Sequence, residues 1–198
     1  MAQLPDPLQH RQAAHRIETL FLRRWSPRAM NGENVAAEAL ARLFEAARWA
    51  PSSFNEQEWR FRYAHRGTPH WATFFSLLAE SNQVWCKDAG VLIAIFAKKT
   101  FTKNGKTNPV HRFDCGCAFE NLALQGSAMG LVVHGMQGFD WERTPKDLRA
   151  PADFEIAAMC AVGHPGDPDK LPPELREREV PSGRRSIEET AGEGPFAA

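Results

Sequence analysis

The apolar positions of this chain change period several times, and each change marks an element. Between residues 8 and 24, Ala14, Ile17, Leu20, Phe21 and Arg24 recur at helical spacing, and Pro27 ends the run. Asn34 suits the N-cap of a second helix over 35–50, with an apolar stripe of Val35, Ala39, Leu40, Leu43, Phe44 and Ala47. The period then drops to two. Trp59-Arg60-Phe61-Arg62-Tyr63-Ala64 alternates apolar and polar, which predicts a strand with one wet face. A helical pattern returns over 69–80. The unbroken run Val91-Leu92-Ile93-Ala94-Ile95-Phe96-Ala97 predicts a central strand buried on both faces.

After a polar loop from Lys98 to Asn108, Asn108-Pro109 provides an N-cap and a first helical position. The helix it opens, over 110–129, is apolar nearly all round, which fits burial between the core and a second subunit; Gly130 ends it. A short strand from Leu131 runs into a turn bearing Gly135 and Gly138. Thr144-Pro145-Lys146-Asp147 resembles a capping box opening a short helix, and Phe154 to Val162 is a further strand. From Gly163 the chain is proline-rich and charged: a solvated tail, or an arm laid over a partner subunit.

Composition narrows the class. With 198 residues, 43% of them hydrophobic, the chain suffices for one domain with a substantial core. Lys+Arg and Asp+Glu both count 24, so bulk charge points to neither nucleic acid nor a membrane surface, and any anion site must be local. Cys86, Cys115, Cys117 and Cys160 lack the spacing of a disulfide framework or a zinc site, which predicts reduced thiols, no metal and a cytoplasmic protein. No apolar run reaches the length of a membrane span, and residues 1–6 lack the apolar core of a signal peptide.

Three stretches carry candidate chemistry. Arg23-Arg24-Trp25-Ser26-Pro27-Arg28 sets three arginines and a hydroxyl within six residues, enough to grip a phosphate monoester; on its own it could also be a solvated basic turn. Pro51-Ser52-Ser53-Phe54-Asn55-Glu56-Gln57-Glu58-Trp59 mixes donors and acceptors suited to the polar edge of a flat heterocycle, or to a plain Asx turn. The turn His134-Gly135-Met136-Gln137-Gly138-Phe139-Asp140 bares backbone N–H groups, and His134 reads first as a structural histidine. A nucleophile elbow, HExxH, a Walker loop and GxGxxG are all missing, which suits chemistry carried by a bound redox cofactor.

In this order, Arg24-x-Ser26-x-Arg28, the Pro-Ser-Ser-x-Asn-x-Gln-x-Trp run over 51–59, Gly138-Phe139-Asp140 and the closing Arg184-Arg185-Ser186-Ile187-Glu188-Glu189 resemble the FMN-dependent nitroreductase family. The resemblance implies an α+β fold, a central mixed, mainly antiparallel sheet wrapped by helices, in an intertwined homodimer with FMN at the interface. Residues 1–170 would form the FMN-binding domain, and 171–198 an arm crossing to the partner. It implies that Arg24, Trp25, Ser26 and Arg28 grip the phosphate and ribityl end, closed by Arg184. Ser52, Ser53, Asn55 and Gln57 would reach the flavin of the other subunit, while Met136, Gln137 and Gly138 would edge N5 and Asn82 would touch the ring or ribityl chain. No side chain is expected to be catalytic in its own right.

The implied reaction is a two-step hydride transfer through flavin N5, from NADH or NADPH to a nitroaromatic, quinone or similar acceptor. Alternatives are a flavin-sequestering protein with little turnover, an enone reductase or a dehalogenase. The sequence departs from the family pattern at Glu58 and Ser186, where Pro is usual, and at Gln137, where Glu is frequent.

Overall fold

A computed structural model describes residues 3–196 of the chain. Four strands form one sheet in the order β1-β2-β4-β3, with every neighbouring pair antiparallel. They are β1 (Trp59–His65), β2 (Val91–Lys98), β3 (Val132–Met136) and β4 (Phe154–Gly163). Helices α1 (Thr19–Arg23), α2 (Ala37–Arg48), α3 (Trp71–Ser76), α4 (Glu80–Cys86), α5 (His111–Ala128), α6 (Arg143–Asp147), α7 (Pro173–Arg176) and α8 (Ile187–Thr190) surround it. This is the α+β class expected, with the sheet antiparallel throughout.

Strand β2 is the centre. Its first seven residues are all buried, and alternate side chains feed two separate cores. Val91, Ile93, Ile95 and Ala97 meet Leu40, Leu43, Cys115 and Leu122 of α2 and α5. Leu92, Ala94 and Phe96 meet Phe74, Leu77, Trp85 and Phe139 on the other face. The unbroken apolar run thus has its cause in helices covering both faces. Burying a side chain such as Leu43 or Leu122 (each 0% exposed) stabilises the fold by about 1.5–3 kcal/mol. At Gly126 an added Cβ would stand 2.4 Å from Val133 Cγ2, so only glycine lets α5 lie this close to β3.

Four expectations need correction. The helix over 8–24 shrinks to a 3₁₀ turn at Pro7–Gln9 and the single turn and a half of α1. A continuous helix would separate Arg11 from Arg24 by about 20 Å along its axis. Instead Arg11 Nη1 donates to the carbonyls of Leu22 (2.9 Å) and Arg24 (2.7 Å), which folds the segment back. Helix α2 begins at Ala37, beyond Asn34. The helix over 69–80 is divided, because Leu78 forms a bridge with Phe139 and Ala79 N–H donates to Gly138 O at 2.9 Å. Ahead of α6 it is Asp140, not Thr144, whose carboxylate accepts the Glu142 and Arg143 amides. The four cysteines are free. Among the described residues no helix is long and apolar enough to cross a membrane.

Candidate functional site

The chain turns extended at Arg24, just beyond α1, and Arg24, Trp25, Ser26 and Arg28 line a pocket of about 390 Å³ while Pro27 between them is buried. Arg184 and Ser182 line the same pocket from the C-terminal segment, so two distant stretches of the chain meet there. Arg11 and Arg178 join them, giving five guanidinium groups around one cavity. Burial first, then the charges of Arg184 and Arg24, push Arg11 below the ordinary arginine range. Among the described residues, the carboxylates ion-paired with these pocket arginines are Glu120, 3.5 Å from Arg24, and Glu179, 3.6 Å from Arg28.

Glu179 was invisible in the sequence, where it is one of several tail glutamates. Its side chain is 1% exposed. One oxygen accepts the amides of Arg28 (2.5 Å) and Ala29 (2.7 Å), and the other faces the Arg28 guanidinium. The tail therefore braces the basic turn from below. His134, on β3, completes the wall: its Nδ1 donates to Pro27 O at 2.9 Å, and its ring lies 4.6 Å from that of Trp85. Burial, helped by the nearby Arg28 charge, pulls the imidazole down to about 4, so it is neutral at pH 7. It shapes the turn rather than offering a proton.

The second stretch lies elsewhere. Ser52, Ser53, Asn55 and Gln57 belong to a turn around Ser53–Asn55, and none of them lines the arginine pocket. Phe54, Asn55 and Gln57 all have φ between 51° and 56°, a left-handed conformation that is uncommon for Asn and costly for Phe and Gln. The strain is held by named bonds. Asp114 accepts the Ser53 amide at 2.8 Å, Ser52 Oγ accepts the Gln57 amide at 3.0 Å, and Glu56 accepts the Thr102 amide at 2.8 Å.

At the third stretch Gln137 is exposed, whereas Met136 is buried with its sulfur 3.4 Å from Cys86 Sγ. Both carbonyls of the turn are engaged: Gln137 O accepts from Phe139 N and Trp141 Nε1, and Gly138 O from Ala79 N and Asn82 Nδ2. Among the described residues neither the Gln137 nor the Gly138 amide finds an internal acceptor. Asn82 thus acts on the turn itself, held in place by Trp85 Nε1 at 3.3 Å. A larger groove of about 940 Å³ shares Trp25 with the arginine pocket. Its charges are mixed, Arg23 and Lys170 against Glu33, Asp88 and Asp167, so it selects no anion.

The Nitroreductase family model matches residues 22–68, which span the basic turn and the strained turn. A solved structure described as an oxidoreductase containing FMN superposes with a TM-score of 0.91 at 40% identity, covering 94% of this chain and 96% of its own. A Desulfovibrio desulfuricans protein classed as a nitroreductase, solved in complex with FMN, superposes with a TM-score of 0.70 at 26% identity, over 90% and 96% of the two chains. Protein DrgA of Synechocystis is 29% identical over 65% of this chain and 74% of its own length. The chain belongs to the nitroreductase family.

Proposed function

We propose that this protein is an FMN-dependent NAD(P)H oxidoreductase that reduces nitroaromatics, quinones or similar flat, electron-poor acceptors. The observation that carries the reading is the convergence of Arg24, Ser26, Arg28 and Arg184 on one pocket whose positive charges outnumber their carboxylate partners. The donor set suits a phosphate monoester: planar guanidinium forks for its oxygens and two hydroxyls, from Ser26 and Ser182, as neutral donors. Each charge-assisted hydrogen bond is worth about 1.5–3 kcal/mol. When bound, FMN would supply the two-electron chemistry between NADH or NADPH and the acceptor.

The chain's own part is to hold and orient. Arg24, Ser26, Arg28 and Arg184 would fix the phosphate, with Trp25 beside it. The amides of Gln137 and Gly138 would donate to the electron-accepting edge of the ring, and Asn82 would hold their turn in place. Ser52, Ser53, Asn55 and Gln57 would serve the second subunit of a homodimer, since they stand apart from their own chain's pocket. Exposed Phe21, Trp49 and Phe113 supply apolar surface for such an interface. Residues 182–196 are exposed throughout, in keeping with an arm from 171–198 that crosses to the partner of the FMN-binding domain, 1–170.

The test is the visible spectrum of the purified protein, followed by anaerobic NADPH and NADH. Flavin bands that bleach support a reductase. Flavin bands that persist with both donors would favour a sequestering role, and a protein that stays colourless after incubation with FMN would overturn the reading.

A further inference from the structure

Beneath the strained turn lies a buried polar cluster that the proposed chemistry does not use. Glu58 and Asn108 are 0% exposed and Asp114 is 4% exposed. Glu58 Oε1 accepts from Asn108 Nδ2 at 2.7 Å, but Oε2 is buried with no hydrogen-bond partner among the described residues. The Asp114 carboxylate, also an acceptor, lies against the Glu58 carboxyl. Two ionised carboxylates facing each other away from water would be strongly unfavourable. A proton on Oε2 removes both faults, since the acid then donates to Asp114.

We propose that Glu58 and Asp114 form a positioning pair: one proton held between them ties β1 to α5 and fixes the 52–57 turn in its strained shape. The value of that shape for a ligand rests on the flavin reading above, in which Ser52, Ser53 and Asn55 reach the partner's site. The mechanical link is direct. Asp114 accepts the Ser53 amide at the start of the turn, and Glu58 follows Gln57 at its end. Both ends of the segment are therefore anchored in one acid pair.

The surrounding charges leave the pair to itself. Lys98 on β2 gives its amide to Glu58 O (3.1 Å), while its ammonium lies 3.7 Å from Glu56. Arg60 on β1 donates to the carbonyls of Gln57 and Trp59. Glu155 on β4 is engaged by His111 and Arg112, each at 2.5 Å. The Cys115 thiol on α5, pushed up to about 12 chiefly by burial, is neutral. Burial first, then Asp114, raises Glu58 from 4.5 to about 7. A closed turn thus keeps a proton that an open turn would release. The pair's contribution is complete below about pH 4.5 and is lost, by up to about tenfold per pH unit, as the pH rises to about 7.

The experiment is hydrogen exchange of the 50–58 segment in the full chain between pH 5 and 8, wild type against Glu58→Gln at each pH. The amide of Gln supplies the missing donor at every pH. Protection in the wild type should fall at least tenfold relative to Glu58→Gln between pH 5 and 7.5; coincident profiles would overturn the pair. Asp114→Asn keeps an acceptor for Ser53 and removes the like charge, so the fall should shrink, and an undiminished fall would place its origin elsewhere. Glu58→Ala should loosen the turn and weaken FMN binding several-fold. A loosened turn with unchanged FMN affinity would overturn the positioning role. A wild type that binds no FMN would instead sink the flavin reading and leave the exchange result standing.

Discussion

Two glutamates with nearly the same burial lie beneath the two motif turns, and they do opposite things. Glu179 is 3% exposed and Glu58 is 0% exposed, and each has an Oε2 with no hydrogen-bond partner among the described residues. Glu179 faces two amides and a guanidinium, all of them hydrogen-bond donors. Glu58 faces one amide and another carboxylate, which rewards a proton. The lesson is that burial alone does not decide what a buried carboxyl does; its partners do. At the arginine pocket the buried carboxylate steadies a crowd of cations. At the strained turn it becomes a hydrogen-bond donor that locks backbone geometry.

The largest effect should come from the pocket itself. Arg24→Ala with Arg28→Ala removes two charge-assisted anchors at about 1.5–3 kcal/mol each, so FMN affinity in a fluorescence titration should fall by about two to four powers of ten. Next, Glu179→Ala leaves two amides and the Arg28 charge without their partner and should cost about 3–5 kcal/mol in denaturant unfolding, whereas Glu179→Gln, which keeps an oxygen for the amides, should cost less.

The two regions should also respond to pH in opposite senses. His134, pulled down to about 4 by burial, leaves the native state short of a proton that the unfolded chain takes up below 6.5. Stability from this site is therefore lost as the pH falls from 6.5 to about 4, by up to about 3 kcal/mol, and His134→Gln should flatten that slope in pH-dependent melts. Glu58 acts in the other direction over 4.5 to about 7, and Glu58→Gln should remove that opposing slope. The smallest effect belongs to Gly138→Ala. Its Cβ would stand 2.7 Å from Asn82 Nδ2, displacing one hydrogen bond at a cost of about 1 kcal/mol, readable as a small drop in melting temperature.

The parts legible in the sequence were those whose cause is local. The apolar run 91–97 announced a strand covered on both faces, because every one of its residues has a core to enter. The RxSxR turn was readable because Pro27 and the charges stand side by side. The rest depended on long-range contacts. Arg11 reaches Ser182, 171 residues away, and its hold on Leu22 O and Arg24 O is what dissolved the expected N-terminal helix. Glu179 gave no local signal at all, since its partners lie about 150 residues upstream. Glu58 was visible only as a departure from a family pattern, and its meaning appears once Asn108 and Asp114 are packed against it.

The most direct measurement is a pair of titrations of the apoprotein, one with FMN and one with riboflavin, which differ only by the phosphate. If Arg24, Arg28 and Arg184 hold that phosphate, FMN should bind at least a hundredfold more tightly, and the Arg24→Ala/Arg28→Ala protein should lose most of the difference. Equal affinities for the two flavins would contradict the assignment of the arginine pocket.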